Sequence, residues 1–159
     1  MAPSIIVPTR SVNDVRIPTV GYGTMLFPDP EHAVELIQGA LECGYRHIDT
    51  ARKYGSEEWV GAGIRASSLS REDIWVTTKV TEENAKADDF QRSVDTSLKT
   101  LGLDYVDLLL IHWPQPKVPL EETLGALAHA KRQGLAKNIG VSNFTVALLD
   151  EAVAKCPEP

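Results

Sequence analysis

The sequence predicts an α/β fold in which parallel strands alternate with crossover helices and curl towards a barrel. Three observations carry this prediction. Five apolar, β-rich segments recur roughly 30 residues apart, the length of a strand plus its crossover helix. Hydrogen-bonding or charged residues close several of these segments at one end, where parallel α/β barrels place their chemistry. The loop after the first segment, Gly21-Tyr22-Gly23-Thr24, puts Leu26 where a dinucleotide-binding open sheet needs its third glycine.

The chain opens with SIIVPTRSVNDVRIP (4–18), two short extended runs around Asn13-Asp14 that read as a β-hairpin apart from the main sheet. The strands are expected at 19–23 (TVGYG), 45–49 (YRHID), 74–80 (IWVTTKV), 105–111 (YVDLLLI) and 136–141 (AKNIGV). Helix one follows the cap-like Asp29-Pro30, turns Ala33, Leu36, Ile37, Ala40 and Leu41 to one face, and stops at Gly44. Ser56, Glu57 and Glu58 open helix two, with Trp59, Val60 and Ile64 as its packing surface. Helix three runs from about Asp88 to Leu101 on a Phe90, Val94, Leu98, Leu101 stripe, and Gly102 ends it. Helix four follows Pro119, packs Leu120, Leu124 and Leu127, and ends at Gly134. Helix five starts near Thr145, uses Leu148, Leu149 and Val153, and meets Pro157. No linker or low-complexity segment divides the chain, so 1–159 reads as one domain.

Composition narrows the function. With 159 residues, 43% hydrophobic and 24% charged, the chain has the make-up of a globular domain with a real core. A net charge of -6 without a basic stripe argues against nucleic acid as a partner. No apolar run reaches membrane-spanning length and MAPSIIVPTRS lacks the core of a secretion signal, so a cytoplasmic location is expected. Cys43 and Cys156 fit no metal or redox spacing, and Cys43 is expected as a core or boundary thiol. The histidines His32, His47, His112 and His129 form no close ligand pair, which disfavours the zinc hydrolases that share this architecture.

Four polar residues stand at or just beyond strand ends: Asp49, Tyr54, Lys79 and His112. Singly, each has a plain explanation as a loop cap, a packing ring or a solvated charge. Together they form a specific device. A tyrosine with an ordinary pKa of about 10 is a poor acid at neutral pH, and a neighbouring lysine eases release of its proton. Asp49 can hold that lysine, and His112 can offer an N–H to a carbonyl oxygen. No nucleophile accompanies them, so the attacking group is expected from a cofactor.

The segment GYRHIDTARKYGSEEWVGAGI, followed in order by TTKV, LLLIHWP and IGVSNF, resembles the signature and later landmarks of the aldo-keto reductase family, most of all its 2,5-diketo-D-gluconate reductase-like members. The resemblance implies a (β/α)8 TIM barrel, of which about five βα units are represented here, so that the chain reads as an N-terminal portion. It implies hydride transfer from NADPH, with NADH not excluded, to an aldehyde or ketone, with Tyr54 as proton donor beside Asp49, Lys79 and His112. It places nicotinamide contacts on Ser142 and Asn143, which can also serve as a cap for helix five, both roles being compatible, and ribose-side contacts on Thr24 and Asp49. Met25, Phe27 and Trp113, with His112, would face the substrate, although Trp113 can also simply pack on the rim. Family members commonly carry Trp where Met25 stands and Asn where Ser56 stands; the first bears on substrate shape, the second on the helix start. No metal is implied. A full-length form is expected to be a monomer, and this chain to be able to self-associate through open sheet edges. The alternative is an inactive fragment or a non-catalytic nucleotide-binding or regulatory protein on the same scaffold.

Overall fold

A computed structural model describes residues 7–12, 14–27 and 30–158. Strands β1 (Thr9–Val12) and β2 (Val15–Pro18) pair antiparallel as a separate two-stranded sheet, with Asp14 in the left-handed region at φ 64°. Then come β3 (Tyr22–Gly23), α1 (Ala33–Glu42), β4 (His47–Asp49), α2 (Glu57–Ala66), β5 (Trp75–Val80), α3 (Ala87–Leu101), β6 (Val106–Ile111), α4 (Leu120–Arg132), β7 (Ala136–Val141) and α5 (Val146–Lys155). The five later strands form one parallel sheet in the order β3-β4-β5-β6-β7, each joined to its neighbour by a helix. Residues 4–6 and the turn residue Asn13 of the expected hairpin, and the expected helix cap at Asp29, lie outside the described residues.

Side-chain alternation along the strands sorts the two faces of the sheet. On β5, Val76 and Val80 join the helix-facing core, while Trp75, Thr77 and Lys79 take the other face. On β6, Leu109 and Ile111 are buried under the helices, whereas Leu108 and Leu110 are half-buried on the concave side. The helices supply Ile37, Leu41, Val60, Ile64, Phe90, Val94, Leu101, Leu124 and Leu127 to the same core. Burying each large apolar side chain contributes about 1.5–3 kcal/mol. On α1 to α4 these are the faces expected from the periodicity, apart from Leu36, which is partly exposed.

Three expectations are corrected. The first strand is shorter than 19–23, because only Tyr22 and Gly23 pair with β4. Cys43 is exposed, since it follows the last turn of α1 on the solvent side. On α5 the buried residue is Ala152, one turn after the half-buried Leu148; Leu149 and Val153 lie about 100° further round the helix and face solvent. Among the described residues, no helix is long and apolar enough to cross a membrane.

Helix α2 packs so closely on its neighbours that one position admits only glycine. A Cβ on Gly61 would stand 1.9 Å from the Leu101 carbonyl oxygen at the end of α3. Gly39 on α1 is the opposite case, with nothing within 4 Å of its Cβ position. Gly61→Ala is therefore expected to destabilise the fold by at least about 1–3 kcal/mol, and Gly39→Ala to stabilise it by about 0.5–1 kcal/mol. Urea unfolding of the two variants checks this; a neutral Gly61→Ala would contradict the close packing.

Candidate active site

The four strand-end residues converge at the C-terminal edge of the sheet. Lys79 closes the concave face of β5 and is only 6% exposed. Its Nζ donates to Asp49 Oδ1 at 2.5 Å and to the Thr50 carbonyl oxygen at 2.8 Å. Parallel pairing of β4 with β5 produces this meeting, because Asp49 lies opposite Thr77, one pleat before Lys79 on the same face. A buried ammonium is costly unless it is paired and hydrogen-bonded, and here it is both.

Tyr54 ends a 3-10 turn, Arg52–Tyr54, that follows the loop after β4. Gly55 leaves that turn with φ 69°, a conformation glycine adopts without strain. The turn sets the Tyr54 ring 5.0 Å from Lys79 Nζ and edge-on to His112, with ring centroids 5.6 Å apart at 80°. His112 follows β6 directly, its N–H donating to the Val80 carbonyl at 2.9 Å. Its imidazole is pushed below the ordinary pKa, first by burial and then by the Lys79 charge, so it stays neutral at physiological pH. Its Nδ1 is buried with no hydrogen-bond partner among the described residues.

A web of buried hydroxyls, not legible in the sequence, lies beneath Asp49. Thr24 Oγ1 bonds the Asp49 carbonyl at 3.2 Å and Ser56 Oγ at 2.9 Å, and Ser56 Oγ also meets Thr50 Oγ1 at 3.0 Å. The expected role of Ser56 as a helix start only is overturned: its side chain makes no capping bond and instead ties the loops after β3 and β4 together. Deeper on the same face, His47 Nε2 meets Thr77 Oγ1 at 2.9 Å, and burial lowers the His47 pKa as well.

Beyond β7, Asn143 adopts φ 61° and its Nδ2 donates to the His112 carbonyl at 2.8 Å and to Ser142 Oγ at 3.1 Å. Neither residue caps α5. Thr145 does, accepting from the Leu148 N–H at 3.3 Å. Ser142 and Asn143 thus keep an amide oxygen and a hydroxyl proton for another group at the same edge as Asp49 and Thr24, a donor–acceptor set that suits a carboxamide. Met25 and Trp113 are 58% and 47% exposed. Phe27 instead packs edge-to-face on Trp59, with ring centroids 5.8 Å apart.

Comparison with known proteins bears on the family and the fold. The family model described as the aldo/keto reductase family matches residues 19–158. A methylglyoxal reductase, DkgB, of Salmonella typhi is 45% identical over 140 residues, which make up 87% of this chain and 52% of that protein. A crystal structure of a putative 2,5-diketo-D-gluconic acid reductase B is similar at 40% identity with a TM-score of 0.92, over 97% of this chain and 54% of the other. A Bombyx mori aldo-keto reductase in complex with NADP is 35% identical with a TM-score of 0.88, over 98% and 57% of the two chains. These structural neighbours are (β/α)8 barrels, and the five-stranded sheet matches an arc of that architecture. The chain spans about half the length of the relatives it matches.

The two depressed histidines give a pH signature. Below the ordinary imidazole pKa of about 6.5, the unfolded chain takes up protons that folded His47 and His112 resist, so stability falls as the pH drops through that window. Thermal unfolding from pH 7.5 to pH 5 is expected to show a falling midpoint below about pH 6.5, with a smaller fall in the doubly substituted H47Q/H112Q protein. Equal falls in the two proteins would contradict this assignment.

Proposed function

The chain belongs to the aldo/keto reductase family, and from that premise we propose that it serves the NADPH-dependent reduction of an aldehyde or ketone to the alcohol. The observation that carries the proposal is the buried Lys79 ammonium, held by Asp49 at 2.5 Å and lying 5.0 Å from the Tyr54 ring centroid. That juxtaposition suits a phenol that gives up its proton.

In this reading Tyr54 Oη donates its proton to the carbonyl oxygen of the substrate. The Lys79 charge stabilises the phenolate left behind, and solvent later restores the proton. Asp49 and the Thr50 carbonyl keep the ammonium in place. Neutral His112 presents a ring N–H to the same carbonyl oxygen and draws negative charge onto it. A bound nicotinamide would supply the hydride chemistry. Ser142 and Asn143 would hold its carboxamide, with Thr24 and Asp49 on the ribose side. Preference for the phosphorylated dinucleotide rests on the NADP complex of the Bombyx mori relative. Met25 and Trp113 would line the substrate side and exclude water. The packing of Phe27 on Trp59 gives it a supporting part there. The proposed setting is the cytoplasm and the proposed substrate a small carbonyl compound; methylglyoxal, named for the Salmonella relative, is the first to try.

Tyr54→Phe is expected to lower methylglyoxal reduction by at least about 10²-fold, with NADPH affinity by fluorescence titration changed by no more than about threefold. Lys79→Met is expected to lower kcat to a similar degree while KM changes little. Full turnover by Tyr54→Phe would sink the assignment, and NADPH binding without turnover by the unaltered chain would favour a nucleotide-binding role instead.

A further inference from the structure

Glu57 lies outside the group of four, yet it is among the most deeply buried charged residues, at 1% exposure. A carboxylate at that depth is costly unless both oxygens are engaged. Here they are. Thr78 Oγ1 donates to Oε1 at 2.7 Å, and Arg52 Nη1 reaches Oε2 at 3.3 Å. Glu57 also sits in the first turn of α2, where the free amides of the helix favour negative charge.

The identities of the two partners make the arrangement informative. Arg52 opens the 3-10 turn that ends in Tyr54, and Thr78 immediately precedes Lys79 on β5. Thr78 points to the helix side of the sheet and Lys79 to the concave side, so Glu57 grips the strand from behind the ammonium. The turn is tied locally by Tyr54 N–H to the Ala51 carbonyl at 3.0 Å and Gly55 N–H to the Arg52 carbonyl at 3.3 Å, and on its outer side by Lys53 to Glu82 at 2.9 Å and by Arg52 Nη1 to Thr100 Oγ1 at 3.4 Å. Among the described residues, a side-chain link from the Tyr54 turn to the Lys79 strand thus passes from the partly exposed Arg52 through the buried Glu57 carboxylate to Thr78.

We infer that Glu57 is a positioning residue, which sets the separation of Tyr54 from Lys79 and His112 by bracing the Arg52–Tyr54 turn against Thr78. The consequence for turnover rests on the reductase reading; the geometric effect does not.

The test uses the whole chain with 13C-labelled tyrosine and histidine. In Glu57→Ala, the nuclear Overhauser effect between the Tyr54 and His112 rings is expected to fall at least twofold, while the signals of Tyr22, Tyr45 and Tyr105 hold. Glu57→Gln still accepts from Thr78 and is expected to lose less. Where Glu57→Ala fails to fold, Thr78→Val removes one arm of the brace and is read in the same way. An intact Tyr54–His112 effect in a folded variant overturns the inference, even with a lowered unfolding temperature, because that is the outcome of a purely structural role. With NADPH and methylglyoxal, the same variants are expected to lose about tenfold in kcat with KM nearly constant, and a rise in KM at constant kcat also overturns it. Retained turnover in Tyr54→Phe would sink the reductase reading alone, leaving the ring-contact result to decide the brace.

Discussion

Everything at the C-terminal edge of this sheet is arranged around one buried ammonium. Lys79 stands near the end of an otherwise apolar or hydroxyl-bearing strand, and a charge there costs several kcal/mol without compensation. The compensation comes from the neighbouring strand and its loop: the Asp49 carboxylate and the Thr50 carbonyl. Register decides whether these can meet. A slip of one residue between β4 and β5 would turn Lys79 to the helix side, among Val60, Val76 and Phe90.

Around that centre the loops are fixed by polar contacts that apolar packing could not replace. Thr24, Thr50 and Ser56 join the turns after β3 and β4 through their hydroxyls, and one of these bonds ends on the Asp49 carbonyl. Asn143 reaches back from beyond β7 to the His112 carbonyl. The site therefore sits on strands whose register is set by the core, while side chains from each successive loop lock its edge. That division suits a site with a rigid framework, beside which Met25 and Trp113 stand in the open.

Much of this was legible in the chain. Helix faces such as Phe90, Val94, Leu98 and Leu101 follow from a period of 3.6, and a charged residue closing an apolar strand is conspicuous because burial makes it expensive. The convergence of Asp49, Tyr54, Lys79 and His112 could be read because strand ends of a parallel sheet share an edge. The hydroxyl web could not be read in the same way. Serine and threonine are common in loops, and nothing local separates a buried Ser56 that bridges two turns from one that caps a helix. Thr145 and Ser142 were indistinguishable as caps for the same reason, until the backbone showed which oxygen faced the amides of α5. Glu57 is hidden by its neighbour: Glu57 and Glu58 look alike in sequence, and only the orientation of α2 buries the first and exposes the second.

The dependence of the site on the Lys79–Asp49 pair is open to direct measurement by a double-mutant cycle in urea. Asp49→Asn alone leaves the ammonium buried with reduced compensation and is expected to cost about 3 kcal/mol or more. Adding Lys79→Met to it should recover most of that loss, a coupling of about 1–3 kcal/mol. If the two substitutions instead proved additive, the ammonium would not depend on Asp49, and the account of the site built on that pair would be wrong.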